Sequence, residues 1–279
     1  MKDPRLSPAN ERVAYSALKG QVKAARFSDG DWRQVIAPTA PILDAPNGTR
    51  LRELLLGEEF CVLETRDGAC FGFSRRDGYV GHVPEAALGA VQPASHMISA
   101  IRSYAKKIGA LKDTGPHMLL SRGARLNICD EHGAWAHFRL GTQDMFVPRA
   151  HIRPIAQLEQ DPASVAQMYL GTPYLWGGNS ALGIDCSGLV QAALLACGIA
   201  CPGDSDQQLA SLGRPLGANS PYQRADLLFW KGHVAMVLND RQMIHATANA
   251  MAVVVEDISA AIARITAAGD GPLLAHKRL

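Results

Sequence analysis

The hexamer Val83-Pro84-Glu85-Ala86-Ala87-Leu88 returns 64 residues later as Val147-Pro148-Arg149-Ala150-His151-Ile152, and this echo restricts the first half of the chain more than any other feature. Upstream of each copy runs the same succession of events. Gly57-Glu58-Glu59-Phe60 answers to Gly123-Ala124-Arg125-Leu126, and Asp67-Gly68-Ala69-Cys70 to His132-Gly133-Ala134-Trp135. A segment that repeats its turn residues at a nearly constant spacing builds one small unit twice. Each copy is a run of short alternating stretches broken by Gly, Asp and Pro at hairpin spacing. The expectation is therefore two small all-β barrels, residues 35–92 and 93–155, behind an N-terminal extension, residues 1–34.

A polar, proline-flanked junction at 154–164 ends this pattern, and residues 156–279 read as a further domain. Helical periodicity over 165–170 stops at Gly171-Thr172-Pro173. From Cys186 onward Leu189, Val190, Ala193, Leu194 and Cys197 fall on one helical face. Strand-like stretches follow at 226–230, 233–238, 243–247 and 253–256, then a helix at 259–268 and a short segment at 273–279. Helices followed by a run of strands indicate an α+β class; no glycine-rich dinucleotide fingerprint or phosphate-binding loop is present.

The charge balance separates at the same place. Before residue 155 stand 21 basic and 16 acidic residues (+5); after it stand 7 and 10 (−3). Over the whole chain, 28 Lys and Arg against 26 Asp and Glu leave too weak a field to argue for nucleic acid or an anionic membrane surface as partner. No run reaches the roughly 18 apolar residues of a membrane span. Asp3, Pro4, Asn10 and Glu11 interrupt what a secretory leader would keep apolar, so a cytoplasmic address is expected, with the cell envelope as the alternative. The oligomeric state stays open, with a monomer as the default. The six cysteines, Cys61, Cys70, Cys129, Cys186, Cys197 and Cys201, follow neither a disulfide framework nor paired metal-site spacing. No metal and no organic cofactor is expected. Apart from Cys186, they are expected to serve as small core residues.

Cys186 is different because of what precedes it. Asp185 suits an N-cap, so Cys186 becomes the first helical residue, where the helix dipole and unpaired backbone N–H groups favour a thiolate. A thiolate nucleophile needs a base, and the base an orienting partner. His233 and His245 lie on two strand-like segments around the turn Asn239-Asp240-Arg241. A loop of three or five residues pairs Val237 with Met243 and Ala235 with His245, which puts both imidazoles on one face a diagonal step apart. A loop of two or four would put them on opposite faces.

Taken together, Tyr174-Leu175-Trp176-Gly177-Gly178, Asp185-Cys186-Ser187-Gly188-Leu189-Val190, Asp226-Leu227-Leu228-Phe229-Trp230, Gly232-His233-Val234 and Ile244-His245-Ala246 resemble the successive blocks of the NlpC-type cell-wall cysteine peptidases, a papain-like family. The upstream units resemble bacterial SH3-like domains. The combination is similar to the γ-D-glutamyl-L-diamino acid endopeptidases of murein peptide recycling, whose substrate is a small murein peptide. The resemblance implies a papain-like α+β domain preceded by two SH3-like barrels. Cys186 would be nucleophile, His233 base and then acid, and His245 its orienting partner, with no carboxylate in the triad. The oxyanion would be held at the helix start with help from Tyr174. Ser187, Asp204 and Ser205 match positions that bind the substrate's free amino end. In the first barrel Tyr79 fits an aromatic position facing that ammonium, and either Glu58 or Glu53 the accompanying acid. The chain departs from the family at Ala225, where Gly is frequent, and at His82, where Trp is frequent. An exported or phage-associated wall hydrolase, an inactive murein-binding protein and an acyl-transfer enzyme on the same fold are the competing readings.

Overall fold

The computed structural model describes residues 3–217, 219–269 and 271–279, and the chain divides into two compact units, residues 1–157 and 158–279. The first unit is built from strands. Its leading half is a seven-stranded sheet in which Arg50–Leu55, Thr39–Leu43, Val80–Pro84, Ala69–Ser74, Glu59–Arg66, Asp31–Val35 and Leu88–Gly89 are successive neighbours. Alternate residues turn inward, so Ala40, Ile42, Leu54, Phe60, Val62 and Val83 make one core. Asp31–Val35 belongs to this sheet, with Trp32 opposite Cys61 and Val35 in the core. The expected boundary at residue 35 therefore moves to about residue 31, because the last stretch of the supposed extension supplies a strand.

The following half, 96–154, gathers Ile98, Leu120, Leu126, Phe138 and Val147 into a second core, which Leu55 and Leu56 of the leading half also join. The sequence echo is carried into structure. The strands Val80–Pro84 and Gln143–Pro148 each end at a proline, which has no N–H to extend a ladder. A 3-10 turn follows in both cases (Glu85–Ala87 and Arg149–His151), and then a short strand (Leu88–Gly89 and Ile152–Pro154). Gly57 and Gly123 stand at φ +80° and +89°, and their amides donate at 2.9 Å to Val35 and Ile98. Both halves turn the chain with the same glycine conformation.

The second unit is a six-stranded sheet in the order Arg214–Pro215, Ala275–Arg278, Leu227–Trp230, His233–Val237, Gln242–Thr247 and Ala252–Asp257. Four helices accompany it: α1 (Pro162–Met168), α2 (Cys186–Ala196), α3 (Ser205–Ser211) and α4 (Ile258–Ala267). Helix α4 presents Ile258, Ala261 and Ile265 to Leu228, Ala235, Val237 and Met243. Helix α2 packs on the strands of both histidines. Its expected single apolar face is too narrow, since Ser187, Gly188 and Gln191 are buried along with Leu189, Val190, Ala193 and Leu194, while Cys197 is only the half-buried C-cap. Gln191 is tolerated there because Asn179 donates to its carbonyl at 2.9 Å and its own amide donates to the Cys201 carbonyl at 3.0 Å.

The C-terminal segment, expected only as a short tail, is a strand inside the sheet order. It is tied down by buried Asp226, which accepts from His276 Nε2 and Arg278 Nε, both at 2.7 Å. Burial raises the Asp226 carboxyl, but the bonds from Arg278, the Gln223 amide and His276 outweigh it and hold the group below the usual range. Cys61, Cys70 and Cys201 are core thiols as expected; Cys129 is exposed, because it falls at a β-bulge between Ile128 and Asp130 at the sheet's edge. Among the described residues no helix is long and apolar enough to cross a membrane.

Ala225 sits at φ +69°, a left-handed conformation that glycine adopts freely and alanine does not. Its amide donates to Val237 at 2.9 Å and fixes the turn. Ala225→Gly should stabilise the protein by about 1 kcal/mol, the relief of left-handed strain less the added freedom of the unfolded chain. Urea unfolding measures this; an unchanged or lowered midpoint would show that the turn is not strained.

Candidate active site

The site begins with one carboxylate. Asp185 is the N-cap of α2, and its Oδ1 accepts from the Gly188 amide at 2.6 Å and the Ser187 hydroxyl at 3.1 Å. Its Oδ2 accepts from the Gly177 amide at 3.0 Å. One side chain thus caps the helix that begins with Cys186 and holds the Trp176-Gly177-Gly178 loop against it. Glycine is required on both sides. A Cβ on Gly188 would stand 2.5 Å from the Gly178 carbonyl oxygen, and one on Gly178 2.5 Å from that of Gly183.

Opposite the helix start, Gly232 at φ +72° closes the tight turn between Trp230 and His233, which are paired across the hairpin. The Cys186 thiol lies 3.9 Å from the Gly232 carbonyl. The next hairpin pairs Val237 with Met243 and Met236 with Ile244, the register that the five-residue loop requires. His233 and His245 accordingly share a face, and His233 Nε2 lies 2.8 Å from His245 Nδ1. With Nε2 so engaged, Nδ1 is the nitrogen of His233 left for chemistry. Burial first, then the His245 imidazole and the Arg264 charge, push His233 down to about 3. Beside a protonated thiol it is a neutral ring at pH 7, able to take the thiol's proton.

His245 is wholly buried, and burial lowers it although the Glu256 carboxylate acts in the opposite direction. Its Nε2 lies 2.7 Å from Glu256 Oε2, which also accepts from Arg264 Nη2 at 2.5 Å. Burial raises Glu256, but Arg264 and His245 together bring it below the usual carboxylate range. The expected triad holds no carboxylate of its own, but one stands directly behind its second histidine. The signal for it was a strand register. His245 pairs with Val254, so Glu256, two residues on, shares its face.

Tyr174 lies close enough to Cys186 and Asp185 for their charges to act on it. Burial foremost, then those two groups, raise its phenol, which stays a neutral O–H donor. Ser187 is buried and its hydroxyl is engaged by Asp185. Asp204 caps α3 and Ser205 opens it, and Gln208 of α3 donates to the Ser187 carbonyl at 2.9 Å, which brings these expected substrate positions to the first turn of α2. Of the three expected residues of the first unit, Tyr79 is only 2% exposed, within the first core; Glu58 is buried and accepts from Arg76 at 2.9 Å and from the Leu55 amide at 2.9 Å; Glu53 is buried as well. His82 lies in that barrel with its ring 5.1 Å from Phe71. Among the described residues no group of three or more His, Cys, Asp or Glu side chains is gathered to hold a metal.

Gly188→Ala should push the Gly177-Gly178 loop off the helix start and lower turnover by roughly tenfold or more, since displacements of about 1 Å near reacting groups act at that scale. Circular dichroism should show the helices retained. Full activity with an unchanged fold would mean that the close approach has no bearing on the site.

The NlpC/P60 family matches residues 171–267, and the bacterial dipeptidyl-peptidase Sh3 domain matches residues 42–88. The chain is similar to the gamma-D-glutamyl-L-lysine dipeptidyl-peptidase of Bacillus subtilis (strain 168), 33% identical over 133 residues, 43% of each chain. It is also similar to dipeptidyl-peptidase 6 of Lysinibacillus sphaericus, 39% identical over 90 residues, 32% of each. These matches span less than half the length of either relative. A solved structure of an NlpC/P60 family protein from Bacillus cereus ATCC 10987 shares the fold, with a TM-score of 0.74 at 19% identity, covering 89% of this chain and 99% of that one. The second unit is an NlpC/P60 domain of the papain-like cysteine peptidase family, and it follows a bacterial dipeptidyl-peptidase SH3 domain in the same chain.

Proposed function

We propose that the protein is a cysteine endopeptidase that hydrolyses the γ-D-Glu to diamino-acid bond of short murein stem peptides bearing a free N-terminal L-Ala, in cytoplasmic recycling of cell-wall peptides. The observation that carries the reading is the placement of Cys186 at the capped start of α2, with its thiol 3.9 Å from the residue before His233, and His233 held by His245 at 2.8 Å. The similarity to a gamma-D-glutamyl-L-lysine dipeptidyl-peptidase supports the substrate class.

In this reading His233 Nδ1 takes the proton of the Cys186 thiol as sulfur attacks the γ-carbonyl carbon of D-Glu. The carbonyl π pair moves to oxygen, where backbone N–H groups at the helix start and the Tyr174 hydroxyl receive the charge. Collapse breaks the C–N bond, and His233 returns the proton to the leaving amine. Water, deprotonated by the same imidazole, then attacks the thioester. The acid is released and the thiol is restored. Asp204 and Ser205 receive the substrate's ammonium near the first turn of α2, so that a blocked amine loses its charge-assisted bond to Asp204. A second SH3-like domain in residues 93–155, suggested by the duplicated turn geometry, completes the proposed architecture.

Cys186→Ala should abolish cleavage of L-Ala-γ-D-Glu-diamino-acid tripeptides while the melting curve stays close to that of the parent. Acetylating the alanine should reduce kcat/KM by about a hundredfold, the scale of a charged group left unpaired. Mass-spectrometric assay of both peptides checks this. Equal rates on the free and blocked peptides would remove the amine requirement, and cleavage by the alanine variant would remove Cys186 as nucleophile.

A further inference from the structure

The proposed hydrolysis needs a base whose lone pair faces the thiol, and an imidazole offers that lone pair on either of its two nitrogens. Something must fix the choice at His233. His245 does not decide it alone, because it too can carry its proton on either ring nitrogen.

We propose that Glu256, held by Arg264, is a positioning residue that sets the proton arrangement of both histidines and thereby makes His233 Nδ1 the base. An ionised carboxylate only accepts hydrogen bonds, so the 2.7 Å contact requires a proton on His245 Nε2. A neutral imidazole has one N–H, which leaves His245 Nδ1 bare and able to accept. The 2.8 Å contact then places the His233 proton on Nε2. His233 Nδ1 is left with its lone pair. When it takes the thiol proton, the resulting imidazolium donates along a chain that ends on a negative charge, and no proton moves beyond His233.

Arg264 gives the chain its other limit. Its Nη2 shares the same Glu256 Oε2, so the carboxylate is ionised but weakly basic and does not draw the proton from His245. The sequence places all three groups economically. Glu256 is diagonal to His245 on the neighbouring strand, and α4 starts one residue after that strand's end, with Arg264 within its length. Among the described residues, Glu256 from strand Ala252–Asp257 and Arg264 from α4 act on the His233–His245 pair; the Trp230 ring stands 5.7 Å from His233, and Cys186 of α2 approaches the neighbouring Gly232 carbonyl. Glu256 and Arg264 are respectively 26% and 30% exposed, so a simple strut tying α4 to the sheet is the alternative that the experiment must exclude.

The inference rests on Cys186 and His233 reacting together, and its test needs no peptide substrate. Carboxymethylation of Cys186 by iodoacetate is followed from about pH 5 to about pH 10 with residue-resolved mass spectrometry; the rate for this anionic reagent falls where the imidazolium formed by transfer of the thiol proton to His233 is deprotonated. Glu256→Gln should move that alkaline limb down by about one pH unit, and Arg264→Gln should move it up, opposite signs that reflect opposite charges at similar range. Glu256→Asp should restore part of the Glu256→Gln shift. If peptide cleavage is observed, Glu256→Gln should lower kcat by about tenfold with KM within about twofold. A strut would lower thermal stability in each variant and leave the limb in place. An unmoved limb, or one moved the same way by both substitutions, overturns the proposal. A Cys186 with an ordinary thiol profile in the parent overturns the reading of the site and this inference with it. Should the variants fail to fold, nitrogen-15 spectra of the parent protein decide: a proton on His245 Nε2 supports the arrangement, and one on Nδ1 overturns it.

Discussion

The second unit depends on what one buried carboxylate does at the start of α2. Asp185 satisfies the helix's Gly188 amide, the Ser187 hydroxyl and the amide of Gly177 from the loop before it. It ties the loop to the helix start alongside the Asn179–Gln191 bond and the Asp185 amide's bond to the Gly178 carbonyl. The cap positions Cys186 at the helix start, and the close packing of Gly178 and Gly188 leaves the loop no slack. The same atoms that end the helix's unsatisfied amides therefore also set where the nucleophile stands.

The other side of the site is built by strand register. A one-residue slip in the hairpin would turn one histidine to the opposite face, so the five-residue loop and the apolar residues that fix it set the arrangement of the two imidazoles. Val237 and Met243, paired across that hairpin, are both wholly buried in the core against α4. Core packing and the geometry of the histidine pair are thus specified by the same pairings. Burial of His245 and the partial burial of His233 then set the electrostatics, keeping both rings neutral beside a protonated thiol.

Much of this was legible in the chain itself. Asp185 before Cys186 announced the cap, the Asn239-Asp240-Arg241 turn allowed the histidine register, and the echo between residues 83–88 and 147–152 marked repeated turns in the first unit. Glu256 was not legible, for a definite reason. The loop joining its strand to that of His245 ends in Met251 at φ +50°, a left-handed residue that carries no glycine or asparagine signal, so the loop length and the face of Glu256 could not be read. The burial of Tyr79 and the salt bridge of Glu58 to Arg76 were not legible either, because a buried aromatic and a ligand-facing aromatic have the same sequence pattern within a short strand.

In the proposed reaction Cys186 forms a covalent bond to the acyl part of a γ-D-glutamyl peptide. Rapid mixing of the protein with L-Ala-γ-D-Glu-diamino-acid peptide, acid quenching and mass spectrometry of the Cys186-containing fragment test this directly. The predicted result is a transient thioester that adds the L-Ala-D-Glu acyl mass to Cys186 and disappears as the free dipeptide accumulates. Hydrolysis with the acyl group on another residue, or the absence of both adduct and product, would contradict it.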